Sequence, residues 1–129
     1  MRDLCPEVPR QRLIIEAKYT KNFEQGYLVQ FAQEFSRFIG MRIVYGPMCR
    51  REGEEISPLH TGTEMFTIWA ESSMVLYTWE KFDFITMDIY TCKEFNIERA
   101  VGFVKNYFGT TEVTYQDIYY TKGPLVAVD

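Results

Sequence analysis

Two stretches with helical periodicity, one in each half of the chain, enclose a run of strand signals, and this order leaves few folds open. In the first stretch Leu28, Phe31, Ala32, Phe35, Phe38 and Ile39 recur at the spacing of one helix face, with Gln30, Glu34 and Arg37 between them. Gly40 supplies the stop. In the second, Ile97, Ala100, Val101, Val104 and Phe108 repeat that spacing, Asn96 is placed to cap the start, and Gly109 to end it. Strand signals lie between them at Met41 to Tyr45, Met65 to Trp69, Val75 to Trp79 and Phe84 to Tyr90. The last of these alternates cleanly, with Ile85, Met87 and Ile89 on one face and Thr86, Asp88 and Tyr90 on the other. A strand from Leu13 to about Tyr19 precedes the first helix; another, from Thr111 to Tyr115 and extending at most to Tyr120, follows the second.

The order β-α-β-β-β-β-α-β, with no repeat or linker, predicts an α+β fold: a two-layer α/β sandwich whose mostly antiparallel sheet is covered on one face by two helices. The other face needs cover, so a homodimer is the expected assembly. At 129 residues the chain holds one domain. We bound it at residues 12–121, with an N-terminal arm of residues 1–11 and a C-terminal tail of residues 122–129. The polar stretch from Met48 to Thr61 reads as a long exposed loop, with Arg50, Arg51, Glu52, Glu54 and Glu55 as solvated charges.

Several function classes are disfavoured at once. The net charge is −4 and the one adjacent basic pair, Arg50-Arg51, runs straight into Glu52, so no basic face for nucleic acid is expected. Cys5, Cys49 and Cys92 have no metal-ligand spacing, and three is a poor number for a disulfide framework, which points to a reducing cytosol. His60 is the only histidine; it excludes a second imidazole for a metal site and reads as an exposed loop residue. The glycines are too dispersed for a phosphate-binding loop. No apolar run reaches the length of a membrane span, and the opening residues carry no signal core, so a soluble cytoplasmic protein without membrane contact is expected.

The informative stretch is TIWAESSMVLYTWEKFDFITMDIYTC, residues 67–92. One strand leads into Ala70-Glu71-Ser72-Ser73, a second leaves through Tyr77-Thr78-Trp79, and a third ends in Asp88-Ile89-Tyr90-Thr91-Cys92. This resembles the prokaryotic S-adenosylmethionine decarboxylases, in which ESH…HTWPE is followed by an alternating strand ending D-x-F-T-C. Arg12 to Glu16 is similar to the family's opening strand, H-L-V-A-E. The resemblance implies a protein that makes its own cofactor. A serine hydroxyl attacks the preceding carbonyl, the peptide bond rearranges to an ester, and elimination leaves a pyruvoyl group whose ketone forms a Schiff base with the substrate amine and draws electrons from the bond to be broken.

By this resemblance Ser72 is the pyruvoyl precursor, Glu71 ends the N-terminal fragment, Cys92 is the proton donor and Glu16 a substrate-binding acid. The family histidine that serves self-cleavage is Tyr77 here, and the serine that assists it is Glu64. A phenol with a pKa near ~10 is a poor base at neutral pH, where imidazole is a good one. The implied activity is decarboxylation of S-adenosylmethionine in polyamine (spermidine) biosynthesis. Two alternatives stand beside it: a pyruvoyl-dependent arginine or ornithine decarboxylase, and an unprocessed, non-catalytic homologue that acts as a regulatory or binding partner.

Overall fold

Apolar residues at every second position of successive strands give the sheet one dry face, and two amphipathic helices supply the cover. The computed structural model describes residues 1–53, 55, 58–118 and 120. Its elements are β1 (Gln11–Lys18), α1 (Gln25–Phe38), β2 (Ile43–Glu52), β3 (Gly62–Trp69), β4 (Ser72–Trp79), β5 (Phe84–Thr91), α2 (Ile97–Phe108) and β6 (Glu112–Ile118). Short 3-10 turns at Pro58–His60 and Glu80–Phe82 precede β3 and β5. The strands form one sheet in the order β2-β3-β4-β5-β1-β6, with every neighbouring pair antiparallel. The α+β sandwich expected from the sequence is the fold observed. The expected tail at 122–129 lies outside the described residues.

Local signals account for the helices. Asn96 Oδ1 accepts from the Arg99 N–H at 2.9 Å, satisfying one of the free donors at the start of α2, and Gly109 ends that helix in the left-handed region. Leu28, Phe31 and Phe35 of α1 and Ala100, Val104 and Phe108 of α2 are buried against Leu13, Ile15, Met74, Leu76, Met87 and Ile89 from the sheet. Trp69, fully buried at the end of β3, donates from Nε1 to Ser36 Oγ of α1 at 2.8 Å, so its one polar atom is satisfied inside the core.

The structure corrects the sequence reading at β2. The reading stops this strand at Tyr45 and makes the stretch from Met48 a loop, whereas the strand continues to Glu52. It does so as an edge strand with register shifts against β3 on either side of Tyr45, which lets Gly46-Pro47 pass without breaking the ladder. Gly46 is required there: its φ is +87°, and a Cβ would lie 2.9 Å from both Met48 N and Phe66 O. The strands also begin earlier than their apolar cores, β3 at Gly62 and β4 at Ser72.

Candidate active site

Ser72 is the first residue of β4, paired with Trp69 across the two-residue connection Ala70-Glu71. Glu71 takes the left-handed conformation, φ 59°, which this tight reversal demands and which a residue with a Cβ adopts at a cost. Alternation along β4 sends Ser72 to the helix-covered face with Met74 and Leu76. Its Oγ accepts a hydrogen bond from the backbone N–H of Cys92 at 2.9 Å, and Cys92 Sγ lies 3.7 Å from the Ala70 carbonyl oxygen. The sheet thus brings Glu71, Ser72 and Cys92 together, although Cys92 is 20 residues away in sequence.

Tyr77, Glu64 and Glu16 lie elsewhere. Tyr77 is five residues along β4 from Ser72, roughly 17 Å at the rise of a strand, and projects from the opposite, open face. Register places Arg50, Glu64, Tyr77, Thr86 and Glu16 in one row across β2, β3, β4, β5 and β1. Glu64 Oε2 accepts from Arg50 Nη1 at 3.1 Å, and Arg50 also pairs with Glu52. Glu16 sits beyond Thr86 and lines a separate hollow of about 240 Å³ with Lys18, Phe84 and Glu112.

A cavity of about 610 Å³ opens over Glu64 and Tyr77, walled further by His60, Trp79, Thr86 and Asp88. The His60 and Trp79 rings are 5.1 Å apart and tilted by 59°. Among the described residues, Trp79 Nε1 and Glu52 Oε2 are buried in the cavity wall without a hydrogen-bond partner. Sequence reasoning missed His60, Trp79 and Asp88 as lining groups. The alternation of β5 does place Asp88 with Thr86 on one face, but nothing in the sequence brings His60 to Trp79. Away from the cavity Arg51 donates to Glu80, one bond measuring 2.8 Å, and this holds the Glu80 carboxyl below the usual range. Burial pushes the Cys49 thiol up. Among the described residues no His, Cys, Asp and Glu are grouped to hold a metal ion.

The family profile of S-adenosylmethionine decarboxylase matches residues 19–119. The chain belongs to that family. In fold it is similar to the adenosylmethionine decarboxylase from Aquifex aeolicus VF5, with a TM-score of 0.70 at 10% sequence identity, covering 95% of this chain and 98% of that one. None of the curated proteins searched matches the sequence. No helix among the described residues is long and apolar enough to cross a membrane. Family membership therefore rests on the sequence profile, and the Aquifex structure supports the sandwich that carries it.

Proposed function

We propose that this S-adenosylmethionine decarboxylase-like chain cleaves itself between Glu71 and Ser72 and acts as a pyruvoyl-dependent decarboxylase of polyamine (spermidine) biosynthesis in the cytoplasm. The observation that carries the reading is the hydrogen bond from Cys92 N–H to Ser72 Oγ beside the left-handed Glu71. The donor fixes the hydroxyl oxygen at the strand start and stabilises negative charge that builds on it as its proton leaves. The conformation of Glu71 places about 1–2 kcal/mol of backbone cost next to the scissile bond, and cleavage releases it. Attack of Oγ on the Glu71 carbonyl carbon forms the ester as the C–N bond breaks, elimination then frees the Glu71 carboxylate and leaves a dehydroalanine at position 72, and water hydrolyses its imine form to the ketone with release of ammonia.

A pyruvoyl cap fits these residues, since the precursor hydroxyl and a thiol both reach the start of β4. When formed, the group supplies the electron sink for loss of CO₂. The Cys92 thiol, 3.7 Å from the Ala70 carbonyl, is the group placed to return a proton there. The substrates considered, S-adenosylmethionine, arginine and ornithine, are all small organic cations. A second copy of the chain would cover the open sheet face, where Tyr45, Met48 and Ile68 are exposed.

One observation favours the unprocessed reading. Tyr77 and Glu64 stand where the family keeps its processing histidine and serine, yet within one chain they face away from Ser72, and Arg50 holds the Glu64 carboxylate. Intact mass after long incubation decides between the two. The enzyme reading requires two fragments split at Glu71-Ser72, the second with a blocked N-terminus, and a single full-length mass for Ser72→Ala. A wild-type chain that stays whole removes it.

A further inference from the structure

Asp88 is a carboxylate that no cation among the described residues meets. It sits at mid-length in β5, a strand flanked on both sides, and its cross-strand partners are Val75 and Ile14, with Phe66 beyond Val75. Aspartate is disfavoured inside strands, and an apolar row gives it nothing in return. Among the described residues it has no ion pair or hydrogen bond. The nearby guanidinium groups are engaged elsewhere. Arg50 is held by Glu64 and Glu52, while Arg12 lies 4.4 Å over the Tyr90 ring and donates to Tyr120 Oη at 2.7 Å.

Two cavities share this residue as a wall. One is the 610 Å³ cavity with Tyr77, Trp79 and His60; the other, of about 250 Å³, includes Ser73, Tyr90 and Arg12 and lies at the start of β4 on the open face, opposite the side to which the Ser72 hydroxyl turns. A small molecule reaching from the start of β4 towards the aromatic end passes over Asp88. Burying this face under a second copy, as proposed above, would strip water from the carboxylate unless a cation came with it.

We infer that Asp88 is the specificity-determining residue for a small organic cation, holding the ligand's positive centre between these two cavities while the Tyr77, Trp79 and His60 wall takes its flat portion. Glu16, the acid that the family resemblance assigns to substrate binding, lines neither cavity. The inference deepens the decarboxylase reading, from which it takes the chemical class of the ligand.

The test is isothermal titration calorimetry on the full chain carrying Ser72→Ala, so that neither self-cleavage nor a covalent step contributes. Each ligand is compared with a net-neutral counterpart that lacks only its sulfonium or guanidinium charge: S-adenosylmethionine with S-adenosylhomocysteine, and arginine with citrulline. We expect at least one cation to bind tenfold or more tightly than its neutral partner. Adding Asp88→Asn should bring that ratio close to one while the neutral partner binds within about twofold of before, which also reports an intact site. A preference that survives Asp88→Asn, equal binding of both members, or binding of neither member of either pair overturns the inference. Because the intact-mass measurement scores self-cleavage separately, a failed role for Asp88 and a failed decarboxylase reading give different results.

Discussion

Alternate residues of β4 share one backbone and live in two different media. Facing the helices, Ser72 accepts from Cys92 N–H, Thr78 Oγ1 accepts from Thr63 N–H at 2.8 Å, and Met74 and Leu76 have no exposed surface. Facing outwards, Tyr77 stands in register between Glu64 and Thr86, and the Trp79 indole N–H has no partner among the described residues. The covered face fixes geometry, because each polar group there has a partner that cannot move without disturbing the core. The open face can exchange residue types without unfolding the chain. Ser72 belongs to the covered face, while Tyr77 and Glu64, which the resemblance alone sets at processing positions, both lie on the open one.

The widest test compares neighbours. Leu76→Ala removes a fully buried side chain from the covered face and should cost about 2–5 kcal/mol. Tyr77→Phe, one residue on, should change stability by less than about 0.5 kcal/mol. Urea unfolding of both variants measures the gap, and equal costs would break the distinction between the faces. Gly62→Ala sharpens it from the other side. Gly62 lines the open cavity, but a Cβ there would meet the Thr78 carbonyl oxygen at 1.8 Å, and backbone cannot yield as a side chain can. We expect a loss of about 1–3 kcal/mol, which would place the tolerance of the open face in its side chains and not in its strand spacing.

The features legible in the sequence are those set by residues close together along the chain. The Asn96 cap, the Gly109 stop and the alternation of Phe84 to Tyr90 each depend on a few neighbours, and each appears as expected. The course of β2 past Gly46-Pro47 was not legible, because Arg50 and Arg51 belong to a strand only once Glu64 and Glu80, 14 and 29 residues away, are there to receive them. The candidate site divides in the same way. Its Glu71-Ser72 connection lies within one hairpin, and the resemblance that singled it out is a contiguous motif. The convergence of Asp88, His60, Trp79 and Tyr77 on one cavity depends on strand register, which single-sequence periodicity does not specify.

Glu71→Gly probes the junction between the two environments. Glycine accepts φ near 60° without the Cβ clash, so in a Ser72→Ala background the substitution should stabilise the chain by about 1 kcal/mol. With Ser72 in place, the proposed self-cleavage predicts that the same change slows fragment formation by a few-fold, read by intact mass against time. Faster cleavage would show that the conformation of Glu71 restrains the reaction.

The smallest expected effect concerns the ion pair that joins β2 to the turn after β4. Arg51 hydrogen-bonds Glu80 and lowers its carboxyl pKa in the folded chain, while in the unfolded chain the group returns to its ordinary value. As pH falls, the unfolded state takes up that proton first. The contribution is therefore complete at neutral pH and fades as the medium passes through and below the ordinary carboxylate range. Both side chains are substantially exposed, 52% for Arg51 and 39% for Glu80, so solvent screening limits the pair to less than about 1 kcal/mol. Arg51→Ala should lower stability slightly at pH 7, and the difference from wild type should vanish in acid and shrink in high salt. A loss as large as that of Leu76→Ala, or one unchanged by salt, would mean that this exposed edge of the sheet is held as tightly as the core, and exposure would no longer separate the tolerant positions from the intolerant ones.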